Sequence, residues 1–345
     1  LQLLEKKVEI MTSYKEAGVD INAGNEAEEL IGKVVKSTYN KNVIAGVGAF
    51  GAAFSLKDAC KMKEPVIVST VDGVGTKLKI AALTGKWNTV GKDIVNHCSN
   101  DILAMGAKPL FFMDYIAAEK ISPQKIAEIV GGMASACKEL NCSLIGGETA
   151  EMPGVYLEGE HDVVGMMVGI VERKKIIDGS KIKEGDALIG LASTGLHTNG
   201  YSLARKVLFN EAGFGVNDFV DYLGCTIGEA LLVPHKSYSK PVLSLTKKIE
   251  VKGIAHITGG GLSENVPRIM PKNLVPEFDY DSIPIPKIFN LIQEKGNISN
   301  EEMFKAFNMG VGLVLVVKKT DANATIEFLK KNGETAWLLG KISKK

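Results

Sequence analysis

PVIVSTVDGVGTK, Pro65 to Lys77, carries a β-favouring run straight into two glycines, a hydroxyl and a cation. Pro65 to Val71 is short, largely apolar and rich in β-branched residues, so it predicts a strand with the proline at its first position. Asp72 stands at the strand end and opens DGVGTK. Backbone N–H groups freed by Gly73 and Gly75 can cradle phosphate oxygens, Thr76 adds a hydroxyl, Lys77 adds charge, and Asp72 can hold a magnesium ion that bridges phosphates. A tight turn with a surface lysine is the plain alternative. No GxxxxGK[ST] occurs in the chain, so this is not the loop of P-loop NTPases.

Working outward, the same kind of run predicts strands at Pro109 to Ile116, Ser143 to Ile145, Val163 to Val171, Ala187 to Ala192, Ile254 to Ile257 and Val311 to Val317. Helical patterns lie between them: Ala27 to Ser37, Thr89 to Met105, Pro123 to Leu140 with Ser122 as N-cap, Gly200 to Phe209, Pro234 to Ile249, Leu262 to Ile269 and Ala322 to Lys331. Strands and helices interleave throughout, which predicts an α/β or α+β chain. The charged, turn-rich ERKKIIDGSKIKEGD, Glu172 to Asp186, separates two blocks of comparable length, giving domains at 13–171 and 172–345.

Composition narrows the function. With 41 basic and 40 acidic residues the net charge is +1, so no bulk positive field is available to hold a nucleic acid. The longest strictly apolar run, Val163 to Val171, is less than half of the roughly 20 residues a membrane helix needs. Five cysteines without a CxxC pair fit reduced thiols and a cytoplasmic protein better than a disulfide framework or a structural zinc. The chain opens on leucine, and residues 1–12 read as an extension or arm, with more sequence expected upstream. Glycine is the anomaly, with 37 residues in 345 against a usual share of about 7%. Many backbone sites must turn tightly or approach something closely.

Those glycines fall in motifs. Gly46, Gly48 and Gly51 fit G-x-G-x-x-G, with Asp72 placed 21 residues on, as in a dinucleotide fingerprint. Only Val43 to Ala45 precede them, however, so a loop over nucleotide phosphates or a plain glycine hairpin fits better. On the predicted helix around DIVNHCSND, Asp93, Asn96, His97 and Asn100 share one face with Asp101 at its edge. A solvated face usually mixes lysine and glutamate, whereas this one offers oxygen donors, amides and an imidazole, which suits magnesium. Glu148 in GGETAEMPG adds another oxygen donor, with a simple connecting loop as the alternative. STGLHTNG, with His197 and Asn199, and HITGGGLSEN, with Gly259, Gly260 and Gly261, each run from strand to helix and offer an anion cradle, or else a capping turn. His161 and His235 show no partner pattern.

Taken together, SYKEAGVDI (Ser13 to Ile21), STVDGVGTK (Ser69 to Lys77), PLFFMDY (Pro109 to Tyr115), GGETAEMPG (Gly146 to Gly154), STGLHTNGYSL (Ser193 to Leu203), HITGGGLSENVPR (His256 to Arg268) and FNMGVG (Phe307 to Gly312) closely resemble the aminoimidazole ribonucleotide synthetases, or phosphoribosylformylglycinamidine cyclo-ligases. The resemblance implies a two-domain PurM-like fold. Its N-terminal mixed sheet would pair into a barrel across a homodimer, beside an α/β C-terminal domain, with nucleotide bound under the glycine-rich segment. It implies a ligase of purine biosynthesis that uses ATP and Mg2+, with K+ as a further candidate ion, acting on small nucleotides and on neither nucleic acid nor membrane. The alternatives are another ATP-dependent member of the same superfamily, a small-molecule kinase or synthetase, or a non-catalytic nucleotide-sensing dimer.

The chemistry then assigns roles. A formamide carbonyl is a poor electrophile, so the γ-phosphoryl group of ATP goes to the amide oxygen, giving an iminophosphate that the amidine nitrogen attacks as phosphate leaves. Positioning and charge neutralisation do most of this work. Asp72, Lys77 and His197 are the expected catalytic residues, His197 by substrate contact or proton transfer. Gly46, Gly48, Gly51, Gly73, Gly75, Thr76 and Asp101 are expected at the nucleotide. His197, Asn199, Gly259, Gly260 and Gly261 are expected at the substrate, and Asp72, Asp93, Asn100, Asp101 and Glu148 at the metal.

Overall fold

Two sheets organise the chain, joined by residues 173–186; the computed structural model describes residues 18–345, so the arm 1–12 and the start of the first motif lie outside the described residues. The first unit contains helices α1 (Ile21–Lys36), α2 (Leu78–Thr84), α3 (Asn88–Leu103) and α4 (Pro123–Leu140). Its strands are β1 (Val43–Ala45), β2 (Ala53–Phe54), β3 (Pro65–Gly73), β4 (Lys108–Ala118), β5 (Ser143–Glu151) and β6 (His161–Glu172). β3 to β6 form a four-stranded sheet in the order β3-β6-β4-β5, parallel only between β4 and β5. Local chemistry explains the helix ends. Asp20 caps α1 through the Asn22 amide at 3.1 Å, and Pro123 starts α4 with Asn141 in the left-handed region after its end. Ser122 holds the N-cap position as expected, but its hydroxyl makes no capping bond.

One face of this sheet is covered by α3 and α4, which press together more closely than side chains allow. A Cβ on Gly91 would sit 1.9 Å from the Ile129 carbonyl oxygen, and one on Gly132 would sit 1.9 Å from that of Asn88. The high glycine content is used here for contact between backbones. The other face carries exposed Ile67, Val71 and Met166.

The second unit holds β7 (Ala187–Ala192), the small hairpin β8 (Phe219–Val220) and β9 (Cys225–Thr226), then β10 (Val251–His256), β11 (Leu274–Phe278), β12 (Val311–Val317) and β13 (Ala336–Lys344). Its five-stranded sheet runs β10-β12-β7-β13-β11, antiparallel throughout. β12, VGLVLVV, is buried at every residue, which accounts for its apolar run without alternation. Around it lie α5 (Tyr201–Arg205, continued by a wider turn to Glu211), α6 (Ile227–Leu232), α7 (Ser239–Leu245), α8 (Gly261–Asn265), α9 (Lys287–Gly296), α10 (Asn300–Ala306) and α11 (Ala322–Lys331). One apolar cluster runs across both units, from Ile80 and Trp87 to Tyr201, Leu208 and Phe289, so the two are packed together through a common core. Among the described residues no helix is long and apolar enough to cross a membrane.

Candidate active site at the junction of the two units

The helix expected over Pro234 to Ile249 is shorter, and the reason builds the site. Residues 235–238 are irregular because α3 takes up their backbone groups. Asp93 Oδ1 accepts from the His235 amide at 2.6 Å, Asn96 Nδ2 donates to the His235 carbonyl at 2.7 Å, and Asn100 Nδ2 donates to that of Lys236 at 2.8 Å. Asn100 Oδ1 accepts from the Tyr238 amide at 3.0 Å. Asp93, Asn96 and Asn100 on the polar face of α3 are therefore neither a solvated surface nor metal ligands. They form a buried ladder that fixes the second unit to the first.

Lys77 is corrected by the same geometry. It is fully buried, with Nζ 2.8 Å from Asp93 Oδ2, 2.8 Å from the Val233 carbonyl and 3.1 Å from that of His197. Its three protons are committed, so it does not face a phosphate, and Asp93, paired with it, does not face a metal. Burial pushes the ammonium down and the carboxyl up, and their mutual attraction opposes both shifts. Asn100, with oxygen and nitrogen both bonded to backbone, likewise leaves the expected metal set. So does Glu148, which is exposed on β5. β5 lies three strands from β3, roughly 14 Å at the usual strand spacing.

Asp72 and Asp101 stay together. Thr70 and Asp72 point from β3 toward α3, and the Thr70 hydroxyl donates to Asp101 Oδ2 at 3.1 Å. His97, one turn before Asp101, places Nε2 2.9 Å from Asp72 Oδ2 and 3.7 Å from Asp101 Oδ2. Burial disfavours both carboxylates, but His97 and the Gly73 amide hold Asp72 below the usual carboxylate range, and His256, His97 and Thr70 do so for Asp101. Burial also opposes protonation of His97, yet the two acids raise it above an ordinary imidazole. The Asp72 side chain is 44% exposed and that of Asp101 26%, so the pair forms the open mouth of an otherwise closed site.

Four of the five histidines meet at this mouth. His235 stacks on His197 with centroids 4.0 Å apart, and its Nε2 lies 3.1 Å from His256 Nε2. His235, without a partner pattern in the sequence, is thus the centre of the cluster; His161 packs on Trp87 instead. Burial, reinforced by neighbouring cations and imidazoles, pushes His197 and His235 well below an ordinary histidine. His197 sits at φ 61°, its Nε2 accepts from the Thr194 amide at 3.1 Å, and its buried Nδ1 has no partner. It is a neutral ring with one N–H left to offer. No sequence signal joins α3 to positions so distant in the chain, so the cluster is legible only in the structure.

The glycine motifs divide. Gly46, Gly48 and Gly51 form the tip of the β1–β2 hairpin, which rules out the dinucleotide reading because no helix follows the strand. They line a pocket of about 280 Å³ with Met113, Gly146 and Gly147, on the β5 side of the sheet and away from Asp72. Gly73, Gly75 and Thr76 do lie at the mouth, where the Thr76 and Ser202 hydroxyls meet at 3.2 Å across the two units. Asn199 has a buried, unpartnered Nδ2 and lies beside Gly259. Gly260 takes φ 90° and Gly261 φ 61°, and a Cβ on Gly261 would meet the Phe304 carbonyl oxygen at 1.9 Å. Tight packing alone requires that last glycine.

The sequence model of the AIR synthase related protein N-terminal domain matches residues 56–171, and that of the C-terminal domain matches residues 183–345. A phosphoribosylformylglycinamidine cyclo-ligase of Alkaliphilus oremlandii is 52% identical over 332 residues, 96% of each chain. The chain belongs to this family. A cyclo-ligase of the same name from Brevibacillus brevis is 51% identical over 96% of this chain and 95% of its own. Among solved structures, a thiamine-monophosphate kinase from Stenotrophomonas maltophilia aligns with TM-score 0.68 and 16% identity, covering 92% of this chain and 93% of that one. The hydrogenase maturation protein HypE in complex with ATP aligns with TM-score 0.65 and 16% identity, over 92% and 86%. At such identity these two establish the shared fold. The cyclo-ligase family thus has the two-unit architecture that its motifs implied.

Proposed function

We propose that the chain closes the imidazole ring of aminoimidazole ribonucleotide from formylglycinamidine ribonucleotide, an ATP-dependent ligase step of purine biosynthesis. The observation that carries this reading is the meeting of the DGVGT turn of the first unit with the HTNGYS segment of the second, beside two half-open carboxylates. A site that must hold a polyphosphate against a second substrate needs donors from both sides and an acid pair between them.

Two carboxylates within reach of one point at the mouth suit a divalent cation. Asp72 and Asp101 would hold Mg2+, which neutralises phosphate charge when bound. The Gly73 and Gly75 turn with Thr76 steadies phosphate oxygens. His197, neutral and with Nδ1 unpartnered, donates a hydrogen bond to the substrate rather than serving as a strong base. Lys77 acts indirectly by holding the His197 carbonyl, and so the ring, in place.

An oxygen-18 label in the formyl group tests the reaction. Passage through an iminophosphate carries the label into released phosphate, with one product per ATP and no ammonia required. A stable phosphorylated product would indicate a kinase, and unlabelled phosphate would reject the intermediate. Binding of ATP without any product would indicate a sensor.

The exposed Ile67, Val71 and Met166 lie on the outer face of a sheet whose edge strands β3 and β5 pair with no further strand among the described residues, and this face is proposed to close a barrel with a second copy. Light scattering across a dilution series is expected to give a dimer throughout. An active species at 37.0 kDa would defeat that assignment.

A further inference from the structure

FNMGVG, Phe307 to Gly312, contributes no residue to the site described above, yet its last glycine lies against the His197 ring. A Cβ on Gly312 would sit 2.8 Å from His197 Cε1 and closer still to the Tyr238 hydroxyl, so only glycine leaves room for both rings. Asn308, 2% exposed, ties this motif to the turn that carries His197. Its Oδ1 accepts from the Gly310 amide at 2.9 Å and from the Ser193 hydroxyl at 2.9 Å, and its Nδ2 donates to the Gly195 carbonyl at 2.9 Å. A backbone N–H on one side and a backbone carbonyl on the other leave the amide one orientation. The Ser193 amide adds a bond to the Gly310 carbonyl at 2.9 Å. Side chain and backbone together thus join the STGLH turn to the NMG turn.

Both turns are strained. Among the described residues four that are not glycine take positive φ, and two of these, Asn141 and Asn297, close α4 and α9, where asparagine is ordinary. The other two are His197 at φ 61° and Met309 at φ 47°, one on each of the turns that Asn308 joins. Met309 and Gly310, at φ 98°, are the central residues of a β-turn closed by the Val311 amide on the Asn308 carbonyl at 2.9 Å. Across the clasp, Gly195 takes φ 142°. Left-handed backbone at a histidine or a methionine persists only where the surroundings enforce it, and it gathers where a side chain has to be aimed.

We propose that Asn308 is a positioning residue for the reaction: by clasping the Gly195 carbonyl it holds the STGLH turn in the conformation that aims the His197 imidazole at the substrate. The inference rests on the role given to His197 above. Thr194, whose amide donates to His197 Nε2 at 3.1 Å, belongs to the same turn, so a turn that relaxes moves the ring and its partner together. Lys77 holds the His197 carbonyl from the first unit, and Asn308 holds the turn from the second.

Asn308→Ser tests this in the full-length protein. The serine hydroxyl can still accept from the Gly310 amide, but the side chain is one bond shorter and gives up the Gly195 carbonyl. The variant is expected to lower kcat by about 10-fold to 100-fold, the scale of a misplaced reacting group, and to leave the KM for ATP unchanged. In a His197→Ala background the same substitution is expected to cost nothing further, because a group that acts through the ring has no effect once the ring is gone. A merely structural role makes the two losses multiply. Ser193→Ala removes a donor to Asn308 Oδ1 while leaving the Gly195 clasp, and is expected to turn over like the parent. Should Asn308→Ser not fold, Gly195→Ala takes its place: its Cβ would meet nothing within 4 Å, and only the turn at φ 142° is disturbed. Nitrogen-15 spectra of histidine-labelled protein give a readout without turnover. The His197 signals, identified by their loss in His197→Ala, are expected to move in the Asn308→Ser or Gly195→Ala protein and to stay in Ser193→Ala. A parent without turnover on formylglycinamidine ribonucleotide would reject the reaction, while the spectra would still decide whether the clasp holds the ring. Parent-like kcat, losses that multiply with His197→Ala, or unmoved His197 signals overturn the proposal.

Discussion

Asp72→Asn and Asp101→Asn are each expected to lower turnover by about 100-fold or more, the scale on which removal of a single preorganised electrostatic stabiliser acts. Each change deletes one negative charge at the mouth while keeping the shape of the side chain and one of its two acceptor oxygens. The effect belongs to chemistry rather than folding, because both groups are partly open to water, at 44% and 26% of the side chain. In each carboxylate the two partners sit on different oxygens, Gly73 and His97 on Asp72 and Thr70 and His256 on Asp101, so the single amide oxygen of an asparagine can keep one acceptor role of each pair. One hydrogen bond of each pair is therefore retained, and the other is lost or reversed at a cost of about 1 kcal/mol. Turnover measured over a range of Mg2+ with ATP saturating is the readout. The loss should be largest at limiting metal, and the stability lost should be no more than about 1 kcal/mol, the scale of one hydrogen bond. Near-normal rates at limiting Mg2+ in both variants would reduce the acid pair to a polar rim.

The parts of the fold that sequence disclosed are those whose pattern is local. β7 and β12 have the bounds predicted from their apolar runs, and α4 and α11 have the bounds predicted from periodicity, proline and charge. β11 and β13 escaped because they are an edge and a near-edge strand whose apolar residues are interrupted, by Pro276 and Glu277 in one and by Gly340, Lys341 and Lys344 in the other, which blunts the apolar signal. β1 and β2 are so short that their glycine link resembles a nucleotide loop. At the site, Asp72 and Asp101 are legible as acids at a strand end and on a helix face. Asp93 and Asn100 are misassigned from that same face, because helical spacing shows which residues share a side and is silent on what covers it. What covers it is the backbone of residues 235–238, distant in sequence and without side-chain pattern. The histidine cluster is invisible for the same reason: it exists only once α3, β10 and the segment before α7 meet.

Lys77→Met is expected to destabilise the fold by about 3–5 kcal/mol, the usual cost of removing one partner from a buried ion pair. The lysine is fully buried, and methionine of similar length fills its space without its charge. Asp93 would then keep only the His235 amide, at 2.6 Å, and the His197 and Val233 carbonyls would lose their donor. Desolvation explains why the loss is so large. A carboxylate with no exposed surface cannot recover in water what the ammonium supplied, so it must either take up a proton or draw water into the core. The denaturation midpoint in urea, at fixed protein concentration, measures the cost. The double variant Lys77→Met with Asp93→Leu separates the charge from the clasp. Removing both charges should restore part of the stability, because a buried pair replaced by apolar groups is often near neutral, but not all of it, since two carbonyls and the His235 amide remain unpaired. Activity should stay low in the double variant even where folding recovers, because the His197 carbonyl is no longer held and its ring, strained at φ 61°, is free to turn away from the mouth. A phosphate-facing lysine predicts the opposite pattern: stability unchanged in Lys77→Met, the ATP dependence of turnover weakened, and nothing gained from the second substitution.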